Sequence, residues 1–563
     1  MKKINTAFFV GALFLVISCS NKIVAQNTSK TKNKELEVTK LPFNMPKVQI
    51  PKFKTDTLNI VDFGAIPDTK ELCTKAINDA ITSCSKSGGG VVVIPSGMWT
   101  TGPIYMKSNV NLHAKNGAYI LFTSDLDQYK LVDTYFEGNK VIRCESPIMG
   151  FNLENIAITG QGIFDGNGSK WRPVKMSKMG EEQWKDLIKS GGILSKDHKT
   201  WYPSEGSFIG NEEKDKLPQT RTVENMKPYK HILRPVMVSL VSCKKLLLDG
   251  VTFQNSPAWN VNPLMCENVT ISNLTVRNPS YSQNGDGLDI ESCRIGTVTN
   301  CSFDVGDDAI CIKSGKDQEG RERGKPTELF VITNCVVYHG HGGFVIGSEM
   351  SGGVRNLFVK NLTFIGTDSG LRFKSVRGRG GVVENIWMED IRMRDIPGGA
   401  INFNLYYFVK GAVEDPVTGE MIAKKEAVSV ETPAFKNMYF KNIYVDGAKQ
   451  ALKIMGIPEM PVDNLQFKNM IIRSDVGIQM NYASKIDFEN VDIRLDKPGI
   501  AASFSNTQNI TVGTFKATGE NQLFWVGGTS TKEISLKKNG KKMAFDQDVK
   551  VLESIKDEVK LIE

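Results

Sequence analysis

Between Leu246 and Ile472 the chain repeats itself. Leu246–Phe253, Val269–Val276, Val298–Phe303, Phe330–Val337, Leu357–Phe364, Phe440–Val445 and Phe467–Ile472 share one pattern. Each is a short β-rich strand, a polar turn residue that is usually Asn, and a second strand. The copies recur at roughly 20–35 residues, the period of a solenoid whose coils bury their faces only by stacking on one another. A propeller blade needs longer meanders than these. The expected fold is therefore all-β, a right-handed parallel β-helix.

The same repeat aligns in a second register. Placing Gly287–Ser292 over Ala309–Ser314, Gly343–Ser348 and Gly370–Ser375 lines up Leu288, Ile310, Phe344 and Leu371. Ile290, Ile312, Ile346 and Phe373 form a second apolar column. Side chains alternate across a strand, so the residues between these columns face outward. They include Asp289 and Arg372, then Glu291, Lys313 and Lys374. Asp286 and Asp308 match just before the strand, and Asp307 falls one place earlier, beside Gly285 and His341. Coils stack about 4.8 Å apart, which gathers these acids and bases on one exterior face.

Upstream, Thr74–Ser85 carries Ala76, Ile77, Ala80 and Ile81 at helical spacing. Gly88–Gly90 ends that helix and Val91–Ile94 begins a buried strand. The helix is expected to cap the open first edge of the stack. The N-terminus reads as a processing signal. Met1-Lys2-Lys3 precedes an apolar run, Ala7–Ile17, too short to cross a bilayer comfortably. Val16-Ile17-Ser18-Cys19 resembles a lipobox with Cys19 as the lipidated residue; Ile23-Val24-Ala25 is a competing site for ordinary cleavage before Gln26.

The expected organisation is a signal peptide over 1–19, a polar flexible tether over 20–54 and a β-helix over 55–520. Residues 521–563 form its C-terminal end or an extension. The expected location is periplasmic or outer-membrane-anchored through the lipid, with a secreted soluble protein as the alternative. Ten cysteines less Cys19 leave nine, with no CxxC pair, so core thiols are expected in place of a zinc site or a disulfide framework. The net charge of +8 suits a polyanionic partner. No Lys/Arg block interleaves with aromatics, which sets nucleic acid aside. No metal or other cofactor is expected, the membrane enters only through the lipid, and the oligomeric state stays open.

Carboxylates this close cannot all ionise freely, so one proton is expected to be held near neutral pH. A carboxylic acid beside a carboxylate is what glycosidic cleavage needs: one protonates the leaving oxygen, the other activates water or attacks. Arg372 and Lys374 supply fixed positive charge, suited to a sugar that carries a carboxylate. Each piece alone has a bland reading. Gly-Asp-Asp is a common turn, a His between glycines is usually a turn residue, and Arg-x-Lys is ordinarily a solvated face. Solvation does not require Asp286, Asp307, Asp308, His341, Arg372 and Lys374 to share one face from consecutive coils.

Asn284-Gly285-Asp286, Gly306-Asp307-Asp308, Gly340-His341-Gly342 and Arg372-Phe373-Lys374 resemble, in order and approximate spacing, four signatures of glycoside hydrolase family 28, the polygalacturonase family. Asp62–Ala65 and Gly88–Gly90 resemble the start of pectin-lyase-like β-helices, so the resemblance runs from Asp62 to Ser505. It implies that Asp307 is the general acid and that Asp286 and Asp308 position and deprotonate the attacking water. It also implies that His341 tunes the acid's protonation, that Arg372 and Lys374 bind the substrate carboxylate, and that the anomeric centre inverts. Asn284 of the first motif counts with the substrate-binding residues. The first motif departs from many endo-acting members, which carry Thr where this chain has Gly285.

Residues 172–230 and 408–435 are polar excursions from the repeat, the kind of loop that crowds one rim of a solenoid. If they wall off one end of the cleft, the enzyme trims chain ends, with Arg377 and Arg379 gripping a further uronate. The expected activity is exo-acting hydrolysis of α-1,4-galacturonosidic linkages in pectin or oligogalacturonides. The alternatives are hydrolysis of rhamnogalacturonan or another pectic oligosaccharide, pectate-lyase-type β-elimination with calcium on the aspartates, and a non-catalytic surface glycan-binding β-helix.

Overall fold

The computed structural model describes residues 41–407, 413–414, 421–537 and 543–562. The signal peptide with Cys19, the tether to residue 40 and much of the 408–435 excursion lie outside them. From Pro42 onward the chain winds into a parallel β-helix. One stack of strands runs Ile148–Phe151, Val238–Val241, Val261–Leu264, Leu288–Glu291, Ile310–Lys313, Phe344–Ile346 and Leu371–Lys374, each paired in parallel with the next. Two further stacks follow the same order, one through Glu267–Ser272 and Arg294–Thr299, the other through Thr275–Arg277 and Ser302–Asp304. Past Val382 the strands lengthen and run through the corners, as in Val382–Asn404 and Ala434–Met455.

The register is the one the repeat predicts. Leu288 pairs with Ile310, Ile310 with Phe344 and Phe344 with Leu371, and all four are buried. The polar turn residue is Asn for a conformational reason. Asn273, Asn300, Asn334 and Asn361 have φ of +55 to +58, a region that Asn tolerates and β-branched residues avoid. Stacking then aligns their amides: Asn361 Nδ2 donates to Asn334 Oδ1 at 2.8 Å, and Asn469 Nδ2 to Asn442 Oδ1 at 3.0 Å. Inside, Phe440 stacks on Phe467 at 4.8 Å and Phe467 on Phe488 at 5.1 Å. The capping helix spans Thr74–Lys86 and buries Ala76, Ile77, Ala80 and Ile81. The nine described cysteines are buried free thiols.

Several boundaries differ from the sequence expectation. Residues past 520 are the end of the coil and not a separate extension: Gln522–Gly527 pairs with Ile500–Ser505, and Val559–Ile562 with Lys532–Lys537. The tether does not reach Lys54. Phe43 packs on Trp387 with ring centroids 5.6 Å apart, the Gln49 amide donates to Asn268 Oδ1 at 2.9 Å, and the Lys52 amide donates to Asn155 Oδ1 at 3.1 Å. Residues 42–54 therefore lie along the outside of the coil against its winding order. The 172–230 excursion is not a loop but a folded insertion. It holds helices Glu181–Lys189 and Glu205–Glu212 and a three-stranded antiparallel sheet, with Val174, Trp184 and Trp201 as its own small core.

Two elements that shape the site carry no repeat signal. A hairpin, Leu131–Phe136 with Asn139–Cys144, projects from an early coil. A short helix, Asp317–Arg323, follows the Ile310–Lys313 strand. They meet: the Lys140 amide donates to both Glu319 carboxylate oxygens at 2.9 Å, and Arg323 Nη2 donates to the Gly138 carbonyl at 2.8 Å.

Candidate active site

Asp286, Asp307 and Asp308 sit in the turns that lead into Leu288–Glu291 and Ile310–Lys313, and the ladder brings successive coils into register. The Asn260 amide donates to the Asp286 carbonyl and the Gly287 amide to the Asp308 carbonyl, at 3.0 and 2.9 Å. Together with His341, Lys374, Asn284 and Arg379, the three aspartates line a cleft of ≈ 540 Å³. One carboxylate oxygen each of Asp286 and Asp308 and the Cys311 sulfur lie within 4.8 Å of one another.

The three acids are electrostatically unlike. Lys374 Nζ donates to Asp308 Oδ2 at 2.6 Å and Arg372 Nη1 to its Oδ1 at 3.3 Å. Burial would raise this carboxyl, but the two cations outweigh it and hold Asp308 well below the usual carboxylate range. Among the described residues no cation lies at hydrogen-bond distance from Asp286. Burial, and then the Asp307 and Asp289 charges, push it well above that range. Asp307 is the most open of the three, with 22% of its side chain exposed, against 2% for Asp308. Its Oδ1 meets His341 Nδ1 at 3.1 Å and accepts from the Asp308 amide at 3.0 Å. That hydrogen bond to Asp307 raises the His341 imidazole against the opposing effects of burial and the Lys178 charge.

The face expected to be exterior is largely covered. Asp289, Glu291 and Lys313 point out of the coil as predicted, yet the first two are at most 1% exposed and Lys313 is 3%. The short helix covers Glu291, while Trp259 and Glu349 enclose Lys313. Arg323 of that helix pairs with Glu291 at 2.6 Å. Lys313 pairs with Glu349 at 2.9 Å and stands 4.5 Å from the Trp259 ring centroid. Burial pushes Asp289 up, and its nearest cation is Lys313 at 3.7 Å.

The remaining expected residues divide. Asn284 lines the cleft, with its Oδ1 taken by Arg234 Nη2 at 2.9 Å. Arg379 also lines it, but its guanidinium bonds the Ser348 carbonyl at 3.0 Å and pairs with Asp317. Arg377 is elsewhere: Glu459 grips it through Nε at 2.6 Å and Nη2 at 2.9 Å, and it is not a cleft residue. The expectation that Arg377 meets substrate is not supported, because Glu459 already supplies its bidentate carboxylate partner.

Sequence reasoning missed Lys178, Lys175 and Glu137, which reach the cleft from outside the coil. Lys178 Nζ lies 2.8 Å from His341 Nε2 across 163 residues of sequence. No periodicity marks it. Lys313 and Glu349 were legible in principle, since both fall in or beside the aligned strands.

A cation-paired acid, a buried acid raised by its neighbours and an exposed acid beside an imidazole can divide proton donation from water activation. A profile described as "Glycosyl hydrolases family 28" matches residues 222–425, which contain all four signatures. The chain is 32% identical to the exopolygalacturonase of Thermotoga maritima, covering 79% of this chain and 93% of that one, with a TM-score of 0.65. It is 25% identical to the exo-poly-alpha-D-galacturonosidase of Dickeya chrysanthemi, over 86% of this chain and 77% of the relative. A probable polygalacturonase of Vitis vinifera is 26% identical, over 74% of each chain. The chain belongs to glycoside hydrolase family 28 and is a pectin hydrolase of the polygalacturonase type.

Proposed function

We propose that the enzyme removes galacturonate units from chain ends by inverting hydrolysis of α-1,4-linkages. The observation that supports an exo mode is the cover over one end of the cleft. Phe136 of the hairpin packs on Trp259, with ring centroids 4.8 Å apart, one coil before Asp286. Glu137 at the hairpin tip and Lys316 beside the short helix line the cleft on the same side. A polymer lying along the coil axis meets this cover within one coil of Asp286, so only a chain end fits there.

In the proposed reaction Asp307, the acid that faces the cleft, protonates the glycosidic oxygen as the bond to the anomeric carbon breaks. Asp308 and Asp286 hold the water on the opposite face, and its proton passes to a carboxylate. Asp308 is held ionised by Lys374 and Arg372. Asp286, raised by burial and then by the Asp307 and Asp289 charges, lies beside it in the same cleft. His341 bonds the same Asp307 oxygen and orients that carboxyl.

Release of galacturonate monomers or short ends from polygalacturonate, with a slow fall in viscosity, is the expected result. Asp307→Asn should lower the rate by about 10²–10⁴-fold. Shortening the hairpin to a tight turn should add longer products. Rapid viscosity loss with wild-type protein would refute the exo mode. Release of ultraviolet-absorbing, unsaturated products would refute hydrolysis itself. Sugar release from rhamnogalacturonan alone would reassign the substrate.

A further inference from the structure

Behind Asn284 lies a buried cation that the proposed reaction does not use. Arg172, where the folded insertion leaves the coil, is 1% exposed. Its Nε, Nη1 and Nη2 are all buried, and none meets a protein acceptor. Its cationic neighbour does not relieve it. Arg234 is also buried and bonds only neutral acceptors: the carbonyls of Pro257 at 2.9 Å and Gln283 at 3.0 Å, and Asn284 Oδ1 at 2.9 Å. A third guanidinium, Arg143, donates to the Arg234 carbonyl at 2.6 Å. Among the described residues no ion pair joins Arg143, Arg172 or Arg234 to a carboxylate. Burial first and then the Arg234 charge push Arg172 down to about 10, against smaller opposing effects of Tyr281 and the Asp165 carboxylate, neither of which hydrogen-bonds it, so it remains a cation at neutral pH.

Protein interiors do not normally hold such a group. A guanidinium stays charged and offers five N–H donors in a planar fork, and buried charges are otherwise paired. Two like charges side by side deepen the need for a counter-ion. We propose that Arg172 and Arg234 form a binding site for a small monovalent anion, a halide or a carboxylate. Its consequence for the enzyme follows from what Arg234 holds. Gln283 and Asn284 lead directly to Asp286, and Asn284 turns at a φ of +53. An anion that balances the two guanidiniums steadies the turn that presents Asp286, so activity should depend on the anion as well as on pH. That activity readout, and no other part of the proposal, rests on the hydrolase reading above.

The test uses the full-length enzyme in isethionate buffer free of halide, titrated with bromide at constant ionic strength. A saturable rise in Tm and in the initial rate of sugar release is expected, with an anomalous bromide peak at Arg172 in crystals. Galacturonate that displaces the peak would identify a uronate carboxylate as the occupant; a peak that persists would identify a resident halide. Arg172→Met should lose the bromide dependence and be at least as stable as wild type without halide, because the unpaired charge is gone. Bromide dependence that survives in Arg172→Met would overturn the proposal. So would a wild type with neither a Tm response nor a peak, or with a peak only at crystal concentrations. A saturable Tm shift in protein that releases no sugar would leave the site standing and sink the hydrolase reading instead.

Discussion

Replacing Lys374 with Met probes how the site keeps one aspartate ionised. The Lys374 and Asp308 side chains are 8% and 2% exposed and meet at 2.6 Å. Removing one partner of a buried pair costs about 3–5 kcal/mol, because the other charge is left uncompensated. Arg372, at 3.3 Å, still faces Asp308 but is more exposed, which places the expected loss near the lower end, about 3 kcal/mol. Asp308→Asn strands Lys374 in turn and should cost a similar amount. The double variant Lys374→Met/Asp308→Asn removes both charges and should be less destabilised than the sum by about 2–3 kcal/mol. Urea unfolding followed by tryptophan fluorescence measures all three against wild type.

The pH dependence has a definite sign. Asp308 is held below its unfolded value, so the stability it adds is present above that value, about 3.9, and is lost as pH falls towards its folded value. The gap between wild type and Lys374→Met should therefore be widest near neutrality and narrow on acidification. Additive single losses, with coupling below about 0.5 kcal/mol, would refute the claim that the two buried charges compensate each other.

Lys178→Met should move the basic limb of the kcat/KM profile to higher pH. Around His341, Asp307 and Asp308 favour the imidazolium and Lys178 disfavours it, so removing the lysine raises the imidazole that orients Asp307, and the basic limb moves with it where the imidazolium is the orienting form. An unmoved limb would reduce Lys178 to a structural contact. Arg377→Ala should leave KM for oligogalacturonides nearly unchanged and lower thermal stability instead, since Arg377 binds Glu459 and not the cleft. A large rise in KM would contradict that placement. We also propose export with lipidation at Cys19. Mass spectrometry of membrane-extracted protein should show a diacylated or triacylated N-terminal Cys19, whereas a mature chain beginning at Gln26 would refute it.

What could be read without coordinates was whatever repeats. Each coil meets its neighbour at a fixed spacing with side chains alternating in and out, so aligning Leu288, Ile310, Phe344 and Leu371 was enough to register the whole stack. With that register, Asp286, Asp307, Asp308, His341, Arg372 and Lys374 had to converge, and they do. The Asn turns were legible for a similar local reason: a left-handed corner favours Asn, although the corner at Asn268 carries Ile295 and Leu329 in the next two coils.

The covering of that face was not legible, because it comes from contacts with no period. Lys140 meets Glu319 across 179 residues and Lys178 meets His341 across 163. Neither the hairpin nor the folded insertion repeats anything in the coil. Alternation said that Asp289, Glu291 and Lys313 point outward; it had no means of saying that other elements cover them. Sequence by itself determined which side chains share a face, since stacking is a nearest-neighbour rule. Only the tertiary structure decided which are dry, which are paired and where the cleft ends, because those depend on segments brought together from far along the chain.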